Sequence, residues 1–222
     1  DILVDLAGYM PGNRMAALTK RPAPIIVAWA ALDATSASEA VDYLIADDFV
    51  LPHETLEHYI AKVAYLPGPM LAWYPPPEVP DVGPPPHRRN GHISFGNLNR
   101  VMKINRQSIA LWAEVLRAIP DATMTFKDFR IDEAASARLA RQFGEQGVAG
   151  DRLILLGETD HYNHLAAYNE IDISLDSFPM QGSISSFEGL WMGVPMVTYY
   201  TDKRPPTRSG AFIVNGIGLS EL

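Results

Sequence analysis

Ahead of a stretch with helical spacing, the chain reads Gly182-Ser183-Ile184-Ser185-Ser186-Phe187-Glu188. Glycine and hydroxyls at the start of a helix suit a diphosphate. The first N–H groups of a helix have no intrahelical acceptor, its dipole end is positive, and a glycine lets the backbone come close. Ser185-x-x-Glu188 also fits a capping box, which any helix can use for stability alone, and spacing does not separate the two readings. No Lys follows Gly182, so the segment is not a P-loop. Lys103 lies in the loop after an expected strand, where open α/β sheets bind ligands; it reads as a phosphate contact or as a surface lysine. His161 and His164 are three residues apart, on one face of an expected helix. As a metal pair they lack a third ligand, and a capping or surface role is the plainer reading. Asp172 and Asp176 flank a strand and read as structural; Asp47-Asp48 reads as a solvated turn. Neither G-x-S-x-G nor G-x-G-x-x-G occurs at these positions, which argues against a hydrolase elbow and a dinucleotide dehydrogenase.

These residues need a scaffold, and the periodicity supplies one. Residues 2–6, 25–29 and 41–46 are apolar strands broken by Gly- and Pro-containing loops, with a short helix over 13–20 that Pro22 helps to stop. Ile2-Leu3-Val4 reads as a buried strand. Residues 75–86 contain seven prolines in twelve positions, which forbids regular structure and favours an interdomain linker over a long surface loop. Beyond it, strands at 92–96, 122–126, 153–156, 171–175 and 196–200 alternate with helices at 107–118, 132–146, 161–169 and 185–192. Asn105 can cap the first of these helices, with Ile109, Trp112, Leu116 and Ile119 on one face. The alternation predicts an α/β fold with a doubly wound parallel sheet.

The bulk properties narrow the function. A net charge of -8 without a basic run argues against nucleic acid as the main partner. The absence of cysteine excludes disulfides, thiolate metal sites and a Cys nucleophile, and is compatible with a cytoplasmic protein. No apolar run approaches the roughly 20 residues needed to span a bilayer, and no signal peptide is seen. Both ends read as cut from a longer protein.

Taken in order, several segments resemble the O-linked N-acetylglucosamine transferase family, including its SPINDLY-like bacterial and plant relatives. They are Asp1-Ile2-Leu3-Val4-Asp5-Leu6-Ala7-Gly8-Tyr9, Arg21-Pro22-Ala23-Pro24-Ile25 and Asp42-Tyr43-Leu44-Ile45-Ala46-Asp47, then Asn97 to Ile104, Leu175-Asp176-Ser177-Phe178-Pro179, and Glu188 to Pro195. The resemblance implies a GT-B fold of two Rossmann-like lobes. Residues 1–74 would be the end of the first, acceptor-side lobe, 75–90 the Pro-rich linker, and 91–222 the donor-binding lobe. It implies that Lys103 contacts the donor diphosphate and acts in catalysis, that His164 lies near the base, and that Glu188 holds the ribose. The loop from Gly182 through Ser183 to Ser185 would wrap the phosphates, with Asn99, Arg100, His161 and Arg208 also in the donor site. The implied activity is metal-independent transfer of a sugar, N-acetylglucosamine from a UDP donor, to Ser or Thr of a protein acceptor, with no cofactor. Tetratricopeptide repeats and active-site histidines would lie in the absent upstream part.

The chain also departs from the family pattern. Gly182-Ser183-Ile184-Ser185 stands where the family usually reads Gly-His-Thr-Thr, so only Ser185 keeps a hydroxyl at its matching place. Arg100 replaces a Gln, and Ala31-Leu32-Asp33-Ala34-Thr35 replaces a Gly-Tyr-Pro-Gly-Thr turn. Donor identity and activity therefore stay open, and the acceptor stays open because its selection would lie largely in the absent part. The alternatives are a transferase using a UDP-hexose or GDP-fucose, a non-catalytic nucleotide-sugar-binding module, and a sugar-nucleotide epimerase of the same architecture.

Overall fold

The structure is a computed structural model that describes residues 1–29, 35–200, 205–219 and 221. The segment Ala31 to Ala34, where the family turn was expected, lies outside the described residues. The chain divides into two compact units, residues 1–72 with 201–212 and residues 73–200 with 213–222.

The first unit is a four-stranded parallel sheet in the order β1 (Ile2–Asp5), β2 (Ile25–Ala28), β3 (Tyr43–Ala46) and β4 (Lys62–Tyr65). Its core combines Ile26, Ala28, Leu44 and Ala46 with Val50, Leu51, Met70 and the short helix α1 (Met15–Leu18). Two expectations change here. β1 is the edge strand and leaves Ile2 62% and Val4 46% exposed, so it is not the buried strand its composition suggested. Asp47 is not solvated: it is 4% exposed, and its carboxylate accepts from the amides of Val50 (2.8 Å) and Met70 (3.0 Å). It thus satisfies two amides as the chain leaves β3, as buried polar groups require.

The second unit carries a five-stranded parallel sheet in the order β7-β6-β5-β8-β9. Its strands are β5 (Ser94–Asn97), β6 (Thr123–Lys127), β7 (Leu153–Leu156), β8 (Ile173–Leu175) and β9 (Met196–Val197). The helices are α2 (His87–Asn90), α3 (Arg106–Ala118), α4 (Glu133–Gly144), α5 (His161–Ala166) and α6 (Ile184–Trp191); α7 (Ser209–Gly216) ends the helical part of the chain. This order is doubly wound: the chain adds β6 and β7 on one side of β5, then returns to add β8 and β9 on the other. The reversal leaves a crevice beyond the carboxyl ends of β5 and β8, where folds of this class bind ligands.

Local sequence explains the elements that frame the crevice. α3 starts where it does because the Asn105 carboxamide oxygen accepts from the amides of Gln107 and Ser108. One face of α3, Ile109, Trp112, Ala113 and Leu116, packs into a core with Met124, Phe126 and Phe143. Each large side chain buried this way stabilises the unit by about 1.5–3 kcal/mol. Ile119 does not join that face; it is the C-cap and stays 38% exposed. Gly96, in the middle of β5, is required because a Cβ there would lie 2.3 Å from the Ile171 side chain. The proline-rich stretch lies against this unit: the Asn169 side chain accepts from the Gly83 amide (2.8 Å) and donates to the Asp81 carbonyl (3.0 Å). Replacing Asn105 by alanine is expected to destabilise the unit by about 1–2 kcal/mol, at the upper end of cap losses. Its Nδ2 also donates to the Phe178 carbonyl (2.6 Å). Urea unfolding of the variant measures this.

Candidate functional site

Two loops leave the sheet at the crevice, 98–105 after β5 and 176–183 after β8. A buried carboxylate joins them. Asp176 Oδ1 accepts from Asn99 Nδ2 (3.1 Å), the Ser177 amide (2.8 Å) and the Gly182 amide (2.8 Å), and Oδ2 accepts from the Thr198 hydroxyl (3.0 Å). Burial pushes the Asp176 carboxyl above its ordinary range, while these hydrogen bonds and the Lys103 charge pull the other way. Lys103 Nζ donates to the Gln181 carbonyl at 2.7 Å. The Phe178 carbonyl accepts from Asn105 Nδ2 and from Ser108 Oγ (2.8 Å). The second loop is thereby held along its backbone as it approaches α6.

At the α6 start, Ser183 is the N-cap residue, and its side chain makes no capping bond. The capping box that the spacing of Ser185 and Glu188 also allowed does not form, because both side chains have other partners. Ser185 Oγ donates to Asn99 Oδ1 (2.5 Å). Glu188 is clasped by two imidazoles, His161 Nε2 at 2.9 Å on one carboxylate oxygen and His164 Nε2 at 3.4 Å on the other. The two histidines share a helix face as expected, but Asp160, rather than either of them, caps α5. Among the described residues no group of three or more His, Asp or Glu side chains is arranged to hold a metal ion. Gly182 has no room for a side chain: a Cβ would lie 2.4 Å from Ser186 Oγ and 2.9 Å from Asn99 Oδ1.

Burial raises the Glu188 carboxyl, but the hydrogen bonds from His164 and His161, with their charges, outweigh it and hold the group below its ordinary range. A carboxyl lowered on folding contributes stability above its unfolded pKa and loses it as pH falls through the lower folded value. The stability difference between the parent and Glu188→Gln is therefore expected at neutral pH and to shrink on acidification below the ordinary Glu value of 4.5. Urea titrations of both proteins across that range check the sign.

The crevice residues Asn99, Lys103, Gly182, Ser183, Ser185, Glu188, His161 and His164 are linked through these contacts or lie beside them. Arg100 turns toward the end of β6, its guanidinium 4.5 Å from the centre of the Phe129 ring and Nε 4.0 Å from Asp128. Arg208 belongs to the first unit, where Nε donates to the Phe49 carbonyl (2.6 Å) and the guanidinium covers the Phe49 ring. Three residues were not singled out for this edge from the sequence. Asp176 read as merely structural. Ser186 has a buried hydroxyl without a hydrogen-bond partner among the described residues. Tyr168, fully buried, donates from its phenol to the Ser185 carbonyl (2.8 Å) and meets the His164 ring edge-on. Only the Ser186 position, inside the serine run, carried a local signal.

The arrangement offers a lysine ammonium, a helix start, small hydroxyls and a clasped carboxylate along one edge of the sheet. Cationic and amide donors suit phosphate oxygens, and a carboxylate suits sugar hydroxyls. A cavity of about 260 Å³ in the same unit lies at the opposite, amino edge of the sheet and takes no part in this site.

Comparison with known proteins shows the family of the chain. The profile of glycosyl transferase family 41 matches residues 1–72 and 88–222. The chain is 35% identical over 225 residues to a protein of Oryza sativa subsp. japonica named probable UDP-N-acetylglucosamine–peptide N-acetylglucosaminyltransferase SPINDLY, covering 100% of this chain and 23% of the relative. The SPINDLY of Arabidopsis thaliana is equally similar, at 35% over 226 residues and 24% of its length. The chain thus spans about a quarter of the curated relatives it matches. Among solved structures, a mutant of the Thermobaculum terrenum O-GlcNAc transferase superposes with a TM-score of 0.93 at 37% identity, covering 100% of this chain and 42% of that one. A GtfA/B complex shares the fold alone, with a TM-score of 0.53 at 15% identity over 91% of this chain and 42% of that one.

Proposed function

The chain belongs to glycosyl transferase family 41, and we propose that its second unit is the donor-binding lobe of a nucleotide-sugar transferase. The substrates in this reading are UDP-N-acetylglucosamine and a Ser or Thr hydroxyl of a protein. The observation that carries it is the meeting of Lys103, Gly182 and the α6 start around Asp176 at the carboxyl edge of β5 and β8. In the transfer, the acceptor oxygen bonds to the anomeric carbon as the bond from that carbon to the diphosphate breaks. The diphosphate leaves with the electron pair, and the hydroxyl proton passes to water. Negative charge grows on the diphosphate, where an ammonium and a helix N-terminus oppose it without a metal. In this reading Glu188, held by His161 and His164, accepts from ribose hydroxyls.

The departure of Ser183 and Ile184 from the family's His-Thr pattern favours a second reading, the same chemistry with a different donor such as a UDP-hexose or GDP-fucose. Calorimetric titration of the intact protein with UDP and with GDP tests both. Saturable UDP binding with weaker GDP binding supports the first reading, and the reverse preference moves the donor to a guanosine sugar. Binding of neither by folded protein overturns the donor-lobe assignment.

A further inference from the structure

At the amino edge of the second unit's sheet, the cavity of about 260 Å³ is walled by Pro85, His87, Tyr168, Ile171, Met192 and Val194, among others. Its persistence has a physical reason. Pro84, Pro85 and Pro86 form one side, and prolines with fixed φ cannot fold inward to fill the space. Asn169 ties the chain just before them at Asp81 and Gly83.

The lining is largely apolar, with one organised polar group. The Asp172 side chain is only 4% exposed and accepts from the His87 amide (3.0 Å), from His87 Nδ1 (2.7 Å) and from the Ser94 amide (2.9 Å). Burial raises this carboxyl, but the hydrogen bonds it accepts prevail and hold it below the ordinary range. An ionised carboxylate on Nδ1 keeps the proton of the neutral ring there, so Nε2 becomes the acceptor. His87 is one of the residues lining the cavity, and its side chain is 44% exposed. No hydrogen bond to Nε2 occurs among the described residues. The arrangement is therefore a largely apolar space with a carboxylate-held imidazole in its lining.

We propose that this cavity is a binding site for a small aromatic alcohol, its ring among Ile171, Met192 and Val194 and its hydroxyl donating to His87 Nε2. Size agrees with this class: an apolar cavity of about 150 Å³ takes benzene, so the larger space admits a substituted single ring. Tyr168 gives the site significance, because the side chain that walls the cavity also donates to the Ser185 carbonyl at the other edge. The proposal does not depend on which donor the transferase uses.

The test uses intact protein labelled at the methionine methyl groups, with the Met192 signal assigned through Met192→Leu. At about pH 8, where an ordinary imidazole is neutral, it is titrated with 4-methylphenol and separately with toluene. The expected result is a saturable shift of Met192, with 4-methylphenol about tenfold tighter than toluene, as for one added hydrogen bond. His87→Phe should abolish that preference. A Met192 signal that neither compound moves, equal affinity for the two in the parent, or shifts spread evenly over all methionines overturns the proposal. The comparison in the parent decides even where the variant fails to fold.

Discussion

Replacing Lys103 by alanine is expected to weaken UDP binding by about 1.5–3 kcal/mol, or about 10- to 150-fold, the loss of a charged hydrogen bond. The ammonium is held 2.7 Å from the Gln181 carbonyl, one residue before Gly182, and its charge acts on buried Asp176. In the proposed donor site this ammonium faces the diphosphate of a donor on the α6 start. The substitution removes a cation from the site and leaves Asp176 less compensated, so a fall in stability accompanies the fall in affinity. Calorimetry on folded variant protein separates the two effects. An affinity equal to that of the parent would remove Lys103 from the donor site.

The largest stability effect is expected at Asp176. Asp176→Ala removes the acceptor for two amides, a carboxamide and a hydroxyl at once. Buried donors left unsatisfied cost about 1–3 kcal/mol each, and removal of one member of a buried charged network typically costs about 3–5 kcal/mol. A loss of about 3–5 kcal/mol in urea unfolding is expected, together with loss of UDP binding. Its pH dependence should run opposite to that of Glu188. A carboxyl raised on folding holds its proton more tightly in the native state, so its contribution falls as pH rises from the ordinary value of 3.8 through the higher folded one. Asp176→Asn, which cannot ionise, should flatten that part of the profile. An Asp176→Ala protein as stable as the parent would show that the two loops do not depend on this carboxylate.

The scaffold was legible where local signals agreed with tertiary packing. Asn105 and the apolar spacing of α3 predicted the cap and the buried face because both act within one turn of chain. The alternation of short apolar runs with helices predicted the parallel sheet, the fold class now seen in both units. β4 was not read from the sequence because Lys62–Tyr65 is short and only partly buried. Edge position likewise lay outside the local pattern of Ile2 and Val4. The candidate site was only half legible. Lys103, Glu188 and the Gly182 loop were placed through family resemblance, since a capping box and a phosphate loop share one spacing. The structure shows that the capping box does not form, because its two side chains take partners distant in sequence, Asn99 for Ser185 and the two imidazoles for Glu188. No short window could have contained the role of Asp176, whose partners run from Asn99 to Thr198.

The side chains that hold the 176–185 loop grip its backbone. Lys103 takes the carbonyl of Gln181, Asn105 and Ser108 take that of Phe178, Tyr168 takes that of Ser185, and Asp176 takes the amides of Ser177 and Gly182. A path fixed through peptide groups depends little on what Ser183 and Ile184 carry, so those two positions resemble interchangeable fittings on a rigid mount. Retargeting such a protein to a new sugar nucleotide would then need few changes, confined to the fittings. A library randomised at Ser183 and Ile184 should keep its folded fraction while spreading its donor preferences.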